Sequence, residues 1–437
     1  MSYPISQNIN ISGTLVSNVL NKIIAPMIED QLPYETVWFD MLKKNNGVTT
    51  MPNNTFYVTM RTGRSTGVAF HTEGDKLISG KATYAQPYVS AKYLYATFDI
   101  TDPAIEAAKG NPGSIANVLT ENARALKIDL ARELNRCFWK SGDGVVAITA
   151  ASGSATAAAA SASIKNYMGY TANDVVTGAS GAIMPNKYLP VGTTFAFATA
   201  ASNLTASTTA TGLITASTSS TISFTMSGAG PTWGANTAIF KVDGDASGAD
   251  EPMGAQGIVD DGTGAVNYAT AAGVSTFQNI ARSGADYLQA PVYSTATALT
   301  ESLMTQSYLK AREFGHPRYI FTNSKLHNKY GAILLSYKKT VDLKESLVGG
   351  WYGLEFNGGA DKIAVILDYD VPDTEVYGID PDSITIGQMT DVGWLDQGGG
   401  NILRRTDYAG WQGTMRWYGN LIAKNVRANF KMTNQIG

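Results

Sequence analysis

Three stretches of the chain carry residue types that could do chemistry. Gly74-Asp75-Lys76-Leu77-Ile78-Ser79-Gly80-Lys81 has the glycines and the lysine of a phosphate-cradling loop. Such a loop needs four residues between its glycines, a Ser or Thr after the lysine to reach a magnesium ion, and a buried strand before it. Here five residues separate the glycines, Ala82 follows the lysine, and no strand pattern precedes, so nucleotide binding is not expected. Asp243-Gly244-Asp245-Ala246-Ser247-Gly248 imitates the start of a calcium loop, but its twelfth position is Gly254. The bidentate Glu that completes coordination is missing; a loose calcium site and a plain acidic turn both stay open. His71, His316 and His327 stand in separate segments with no partner at ligand or triad spacing. Cys137, the single cysteine, falls inside a helical apolar pattern and reads as a small core residue. The sequence therefore predicts no enzyme and no cofactor, and it offers no complete metal-ligand set.

Composition sets further bounds. The 437 residues suffice for two or three domains. Charged residues make up 16% and the net charge is −3, so there is no bulk electrostatic attraction to nucleic acid. One cysteine allows no disulfide framework. The opening lacks a basic segment followed by an apolar core, so no signal peptide is expected. No apolar run approaches the ~20 residues that span a bilayer. The expectation is a soluble protein made in a cytoplasm.

The longest patterned element is Ser114–Lys140. Ile115, Leu119, Ala123, Leu126, Leu130, Leu134 and Phe138 recur in steps of three and four, which puts one apolar stripe along a helix. Glu121, Arg124, Lys127, Asp129, Arg132, Glu133 and Arg136 occupy its other face, and Gly142 and Gly144 end it. Upstream, Leu15–Ile24 reads as a short helix and Val37, Trp38, Met41 and Leu42 as an amphipathic turn; an apolar arm with so little core of its own must pack on something else. Thr55–Arg61 and Tyr84–Ile100 alternate with period two and read as a long hairpin. The stretch between them is rich in Gly, Thr and charge, and a loop of that length is uncommon unless functional. No charged residue occurs between Lys187 and Lys241, yet Thr194–Ala198, Gly212–Thr215, Thr221–Met226 and Ala238–Val242 alternate as strands. Residues 150–245 therefore read as a small inserted sandwich or barrel. Thr295–Phe314 reads as a helix, Tyr319–Thr322 and Ile363–Leu367 as buried strands, a helix capped by Asn323 or Ser324 follows the first of these, and Gly413–Met432 reads as one long strand.

This order of parts resembles the major capsid protein of tailed double-stranded DNA phages, the Hong Kong 97-type shell fold. The carriers are AKYLYATFDITDPAI leading into the helix, DLARELNRCFWKSGDG at its end, then EPMGAQGIVDDGTG, FGHPRYIFTNSKLHNKYGAIL and WYGNLIAKNVRANFKM. The resemblance covers nearly the whole chain except residues 150–245, and it rests on five segments in order rather than on an invariant motif.

The resemblance implies an α+β fold with residues 1–47 as N-terminal arm, 48–100 as an extended loop lying across a neighbour, and 101–149 as peripheral domain with the spine helix. It further implies 150–245 as the inserted all-β domain, 246–380 as axial domain, and 381–437 as the return to the peripheral domain. The turn at Gly398-Gly399-Gly400 would lie near local threefold contacts. The implied partners are copies of the same chain in hexamers and pentamers, a portal, a cement or decoration protein, and packaged double-stranded DNA in non-specific proximity, with no membrane. Only the stretch up to Thr50 precedes the hairpin, so scaffolding is expected from a separate protein or not at all. The implied location is the virion shell, assembled in the host bacterial cytoplasm. Arg61, Arg64, Glu73, Asp75, Lys76, Lys81, Arg404 and Arg405 are the implied inter-subunit contacts. Lys76 or Lys81 with Asn401 would be the pair for a covalent cross-link of the kind some relatives form. Two other readings stay open: a bacterial nanocompartment shell of the same fold, and a β-rich surface adhesin or carbohydrate-binding protein.

Overall fold

The computed structural model describes residues 36–44, 54–77, 79–103, 112–142, 144–155, 160–165, 188–198, 206–218, 221–227, 231–235, 237–241, 251–263, 275–295, 297–336, 354–358, 361–372, 374–395, 402–404, 409–433 and 435–436. The expected helix at Leu15–Ile24, the calcium-loop imitation at Asp243–Gly248, the Gly398–Gly400 turn, and Asn401 and Arg405 lie outside the described residues. The chain divides into two units, one holding Tyr93–Glu133 and Thr390–Trp417, the other Thr36–Lys92, Leu134–Met389 and Tyr418–Gly437. Among the described residues, no helix is long and apolar enough to cross a membrane.

The spine helix spans Pro112–Trp139, 28 residues and so about 42 Å of rise. Leu130, Leu134 and Phe138 of the expected stripe are buried. The expected polar face ends sooner than its charges suggest. Arg136 is fully buried, with its guanidinium donating to Glu251, and Asn135, Cys137, Trp139 and Lys140 are buried beside it. The last turn is enclosed on every side because it enters an aromatic core. The Trp139 ring centroid lies 5.3 Å from Trp38, 5.2 Å from Phe321 and 5.3 Å from Tyr377. Trp38 arrives on the short helix Val37–Lys44, whose Trp38, Phe39 and Leu42 are buried. Gly142 ends the spine at φ +76°, in the left-handed region that favours glycine.

After the spine, six strands close an antiparallel barrel in the order Ala206–Ser217, Thr221–Ser227, Ala160–Lys165, Val145–Thr149, Ala238–Lys241, Thr194–Ala198, the last pairing back onto the first. Alternation builds it: Ile222, Phe224 and Met226 point inward, while Thr221, Ser223 and Thr225 are half-buried. Phe195, Phe197, Phe224 and Trp233 fill the interior, with Trp233 stacked on Phe197 at 4.6 Å. Closure leaves no free sheet edge, which a module with so little charge requires to avoid edge-to-edge association.

A six-stranded mixed sheet forms the second core, in the order Val292–Tyr293, Phe430–Met432, Val376–Ile379, Tyr319–Thr322, Lys362–Leu367, Leu354–Asn357. Helices Glu301–Arg312 and Ser324–Ser336 pack on it through Met304, Tyr308, Leu326 and Tyr330. The Asn323 side chain accepts from the Leu326 amide at 2.9 Å, capping the second helix. Gly378 sits where a methyl would overlap the buried Phe430 ring of the adjoining strand. Gly378→Ala is therefore expected to destabilise this core by about 3 kcal/mol, the upper end for overpacking, read as a lower denaturant midpoint.

Three expected elements differ in extent. The helix placed at Thr295–Phe314 starts only at Glu301, because the Thr300 hydroxyl caps the Leu303 amide at 3.3 Å and Thr297–Ala298 is taken as a strand beside Gln435–Ile436. The return limb Tyr84–Ile100 is three strands, Tyr84–Ala85, Tyr88–Ser90 and Lys92–Thr101. Pro87 has no N–H to give a ladder, and the Ala91 amide turns to the Asn54 carbonyl at 2.8 Å. The final strand stops at Ala423 and resumes as Phe430–Met432. Asn429 makes that break: its amide nitrogen donates to the Ser383 hydroxyl at 2.9 Å and the Asn425 carbonyl at 3.1 Å, and its oxygen accepts from the Asp380 amide at 2.9 Å.

In the other unit, Lys92–Thr101 pairs with Gly410–Ala423, and Ile402–Arg404 pairs with the latter in the register Ile402↔Gly413. Phe98 meets Trp394 edge-on at 5.9 Å, and Trp411 donates to Asp102 at 3.0 Å.

Candidate assembly surface

The segment between Thr55 and Ser90 projects as an arm. Its base is a short antiparallel ladder, Thr55–Tyr57 against Tyr88–Ser90 and then Met60–Arg61 against Tyr84–Ala85. The period-two pattern gives the ladder two faces. Phe56 is buried on one face and packs with Ala91 and Ile422, flanked by Val58 and Met389; this face seats the arm on its own body. The other face exposes Tyr57, Tyr88, Tyr84 and Arg61, with Tyr57 and Tyr88 in ring contact at 5.7 Å.

Beyond Arg61 the arm has no ladder of its own. The Thr62 amide donates to the Thr83 carbonyl at 2.9 Å, and Gly80 lies so close to the Gly67 backbone that a side chain there would overlap it. At the tip, the Thr72 amide donates to Asp75 at 3.0 Å and Gly74 takes φ +89°. The loop that imitates a phosphate cradle is thus one limb and the tip of an open arm, preceded by no buried strand.

Six of the eight expected contact residues are brought together here: Arg61, Arg64, Glu73, Asp75, Lys76 and Lys81 are all exposed along this arm. Arg61 bonds back to the Gly63 carbonyl at 3.3 Å. Among the described residues, no ion pair joins any of these six. Arg404 lies in the other unit, 3.7 Å from Asp102. Arg405 and the proposed cross-link partner Asn401 fall outside the described residues.

Sequence reasoning attended to charge and missed the apolar side chains between the charges. Val68 is 87% exposed, Leu77 78%, and Phe70 108%, so the Phe70 ring is fully open to solvent. Isolated exposed apolar residues are ordinary. Three on one arm, one of them a fully exposed aromatic, form an apolar group open to solvent. The signal was present as Val68-Ala69-Phe70 inside an otherwise Gly/Thr-rich loop with no core pattern.

The helix that leads toward the arm is held by a buried polar hub. Asp368, fully buried, accepts from Trp139 Nε1 at 3.0 Å, the Trp38 amide at 3.4 Å, the Asp370 amide at 2.9 Å and Asn135 Nδ2 at 3.4 Å. Asp370 in turn accepts from Asn135 at 2.6 Å and from the Tyr188 hydroxyl. A second buried cluster joins Lys431, Asp260 and Arg282. There burial lowers the Arg282 guanidinium to about 10 against the opposing pull of Asp260 and Asp261. Burial also lifts the Tyr377 phenol well above its ordinary range, with the neighbouring Glu375 charge adding to it. His327 is shifted downward by burial. Cys137 is a buried thiol outside any disulfide. Inside the barrel, the aromatic rings that could have stacked on a sugar are turned inward.

No protein-family model and no curated protein sequence matches the chain. Solved structures do. The capsid asymmetric unit of cyanophage A-1(L) superposes with a TM-score of 0.51 at 12% identity, covering 94% of this chain and 95% of that one. The capsid of cyanophage P-SCSP1u matches at TM-score 0.45 and 8% identity over 99% of this chain and 98% of that one. An encapsulin complex from Synechococcus elongatus matches at TM-score 0.27 and 13% identity over 33% of this chain and 52% of that one. On the first of these likenesses, spanning nearly both chains, this protein has the α+β fold of a tailed-phage capsid subunit, the Hong Kong 97-type shell fold.

Proposed function

We propose that this chain is the major capsid subunit of a tailed phage, closing into an icosahedral shell of hexamers and pentamers around double-stranded DNA. The observation that carries the reading is the arm: an extended segment with Val68, Phe70 and Leu77 almost wholly exposed, on a fold shared with a cyanophage capsid subunit. Exchanged arms and large complementary edges are what a closed symmetric assembly needs. On this reading residues 48–100 reach over a neighbour, 101–149 and 381–437 supply the peripheral domain, 246–380 the axial domain, and 150–245 an insertion, except that Val145–Thr149 joins the barrel of the insertion and Phe430–Met432 the six-stranded sheet of the axial domain. The apolar anchors carry affinity; Arg61, Arg64, Glu73, Asp75, Lys76 and Lys81 set orientation and encounter rate, with Arg404 and Arg405 as further contacts. Scaffolding, portal and cement proteins are separate chains that act on this subunit, and the shell is assembled in the host cytoplasm. Lys76 or Lys81 bonded to Asn401 would add a covalent link between neighbours.

The test is electron microscopy of the purified protein, expressed alone and with candidate scaffolding partners. Rings of five and six or closed shells are expected, with nuclease-protected DNA in particles from infected cells. Shells filled with protein cargo and free of nucleic acid would instead favour a nanocompartment; a monomer that binds glycans would favour the adhesin reading.

A further inference from the structure

One polar constellation is sealed from solvent. Asp260, Arg282, Glu375, Tyr377 and Lys431 are each at most 1% exposed. Lys431 Nζ lies 3.0 Å from Asp260 Oδ1 and donates to the Gln256 carbonyl at 3.2 Å. The other Asp260 oxygen faces the Gly262 amide at 3.1 Å and Arg282 NH1 at 3.7 Å. Arg282 is held in place by donating to the carbonyls of Asp260, Gly257 and Ile258. Tyr377 stands directly across the ladder from Lys431 and donates to the Glu375 carboxylate. No external substrate reaches a cluster this closed, so any reaction there is between its own members.

We propose that Lys431 and Asp260 condense into an intramolecular amide once the chain has folded. The pair meets the requirements in order. The step begins with transfer of one Nζ proton along the 3.0 Å contact to Oδ1, which leaves an amine lone pair facing the acid. The Nζ lone pair then attacks Asp260 Cγ, forming the C–N bond and moving charge onto Oδ2. There the Gly262 N–H donates at 3.1 Å and the Arg282 guanidinium adds its positive charge from 3.7 Å, both favouring the developing oxyanion. The added nitrogen gives its surplus proton to the hydroxyl oxygen derived from Oδ1. That oxygen leaves as water as the C–O bond breaks and Cγ=O re-forms. The sum is ammonium plus carboxylate giving amide plus one water, with no oxidant and no co-reactant. The link would tie the strand Phe430–Met432 to the turn after Ala255–Ile258, a staple in a chain with no disulfide.

The measurement is the intact mass of the purified full-length protein, followed by tandem mass spectrometry of its digest. A mass about 18 Da below the sequence value is expected, with a branched peptide joining Lys431 to Asp260. Lys431→Arg, which keeps the charge and cannot form this amide, is expected to lose the deficit. An unshifted mass in the folded wild-type chain overturns the proposal. So does a deficit that survives Lys431→Arg without a branched peptide, the result for a succinimide at Asp261-Gly262. The proposal does not rest on the shell reading: a monomer with the branched peptide would refute the shell and leave the amide standing, and a shell of unshifted subunits would do the reverse.

Discussion

A chain with serine at Val68, Phe70 and Leu77 is expected to fold normally and to remain unassembled. In the free subunit these side chains are 87%, 108% and 78% exposed, so replacing them removes almost no intramolecular contact. Surface changes of that kind usually fall within about 0.5 kcal/mol, and thermal unfolding of the monomer should be nearly unchanged. In the assembled state each buried anchor is worth about 1.5–3 kcal/mol. Three together amount to about 5–9 kcal/mol per contact, more than a thousandfold in association. Neutralising Arg64, Glu73, Lys76 and Lys81 should do less. Exposed ion pairs contribute roughly 0–1 kcal/mol each, and their loss should slow assembly and flatten its salt dependence. Sedimentation of the two variants side by side decides it. If the charge variant fails to assemble and the apolar variant assembles normally, the anchors have been misassigned.

The largest expected effect on stability is at Asp368. Asp368→Ala removes the acceptor for Trp139 Nε1, the Trp38 amide, the Asp370 amide and Asn135 Nδ2, all in a fully buried site. Each donor stranded away from water costs about 1–3 kcal/mol. Asn135 Nδ2 keeps Asp370 at 2.6 Å, so three donors are stranded, and their sum, about 3–9 kcal/mol, is comparable to the whole stability of many domains. Asp368→Asn keeps one carbonyl acceptor and is expected to cost about half as much. Denaturant titration reads both; an alanine variant within about 1 kcal/mol of wild type would mean that the hub is not what holds the Val37–Lys44 helix to the spine.

Much of the fold was legible because burial imposes period. The stripe from Leu126 to Phe138 marks the spine helix, alternation marks Thr221–Ser227 to within a residue or two, and a short run read as a buried strand marks Tyr319–Thr322. What escaped was decided by partners distant in sequence. Arg136 reads as solvated from its neighbours, yet Glu251 and the aromatic core enclose it. The final strand looks continuous until Asn429 finds Asp380 and Ser383. The helix before Arg312 starts late because Thr297–Ala298 is claimed by a strand more than a hundred residues on. The candidate site was half legible. The arm stood out by length and composition, but its anchors did not: an exposed Phe70 and a core phenylalanine are the same letter, and only burial separates them.

The central claim is that this subunit exists to assemble, and the size distribution of the purified wild-type chain tests it most directly. Light scattering or sedimentation over a range of salt and protein concentration should show capsomers or closed particles built from many 46.4 kDa copies. A stable 46.4 kDa monomer in every buffer, with and without a scaffolding partner, would contradict it.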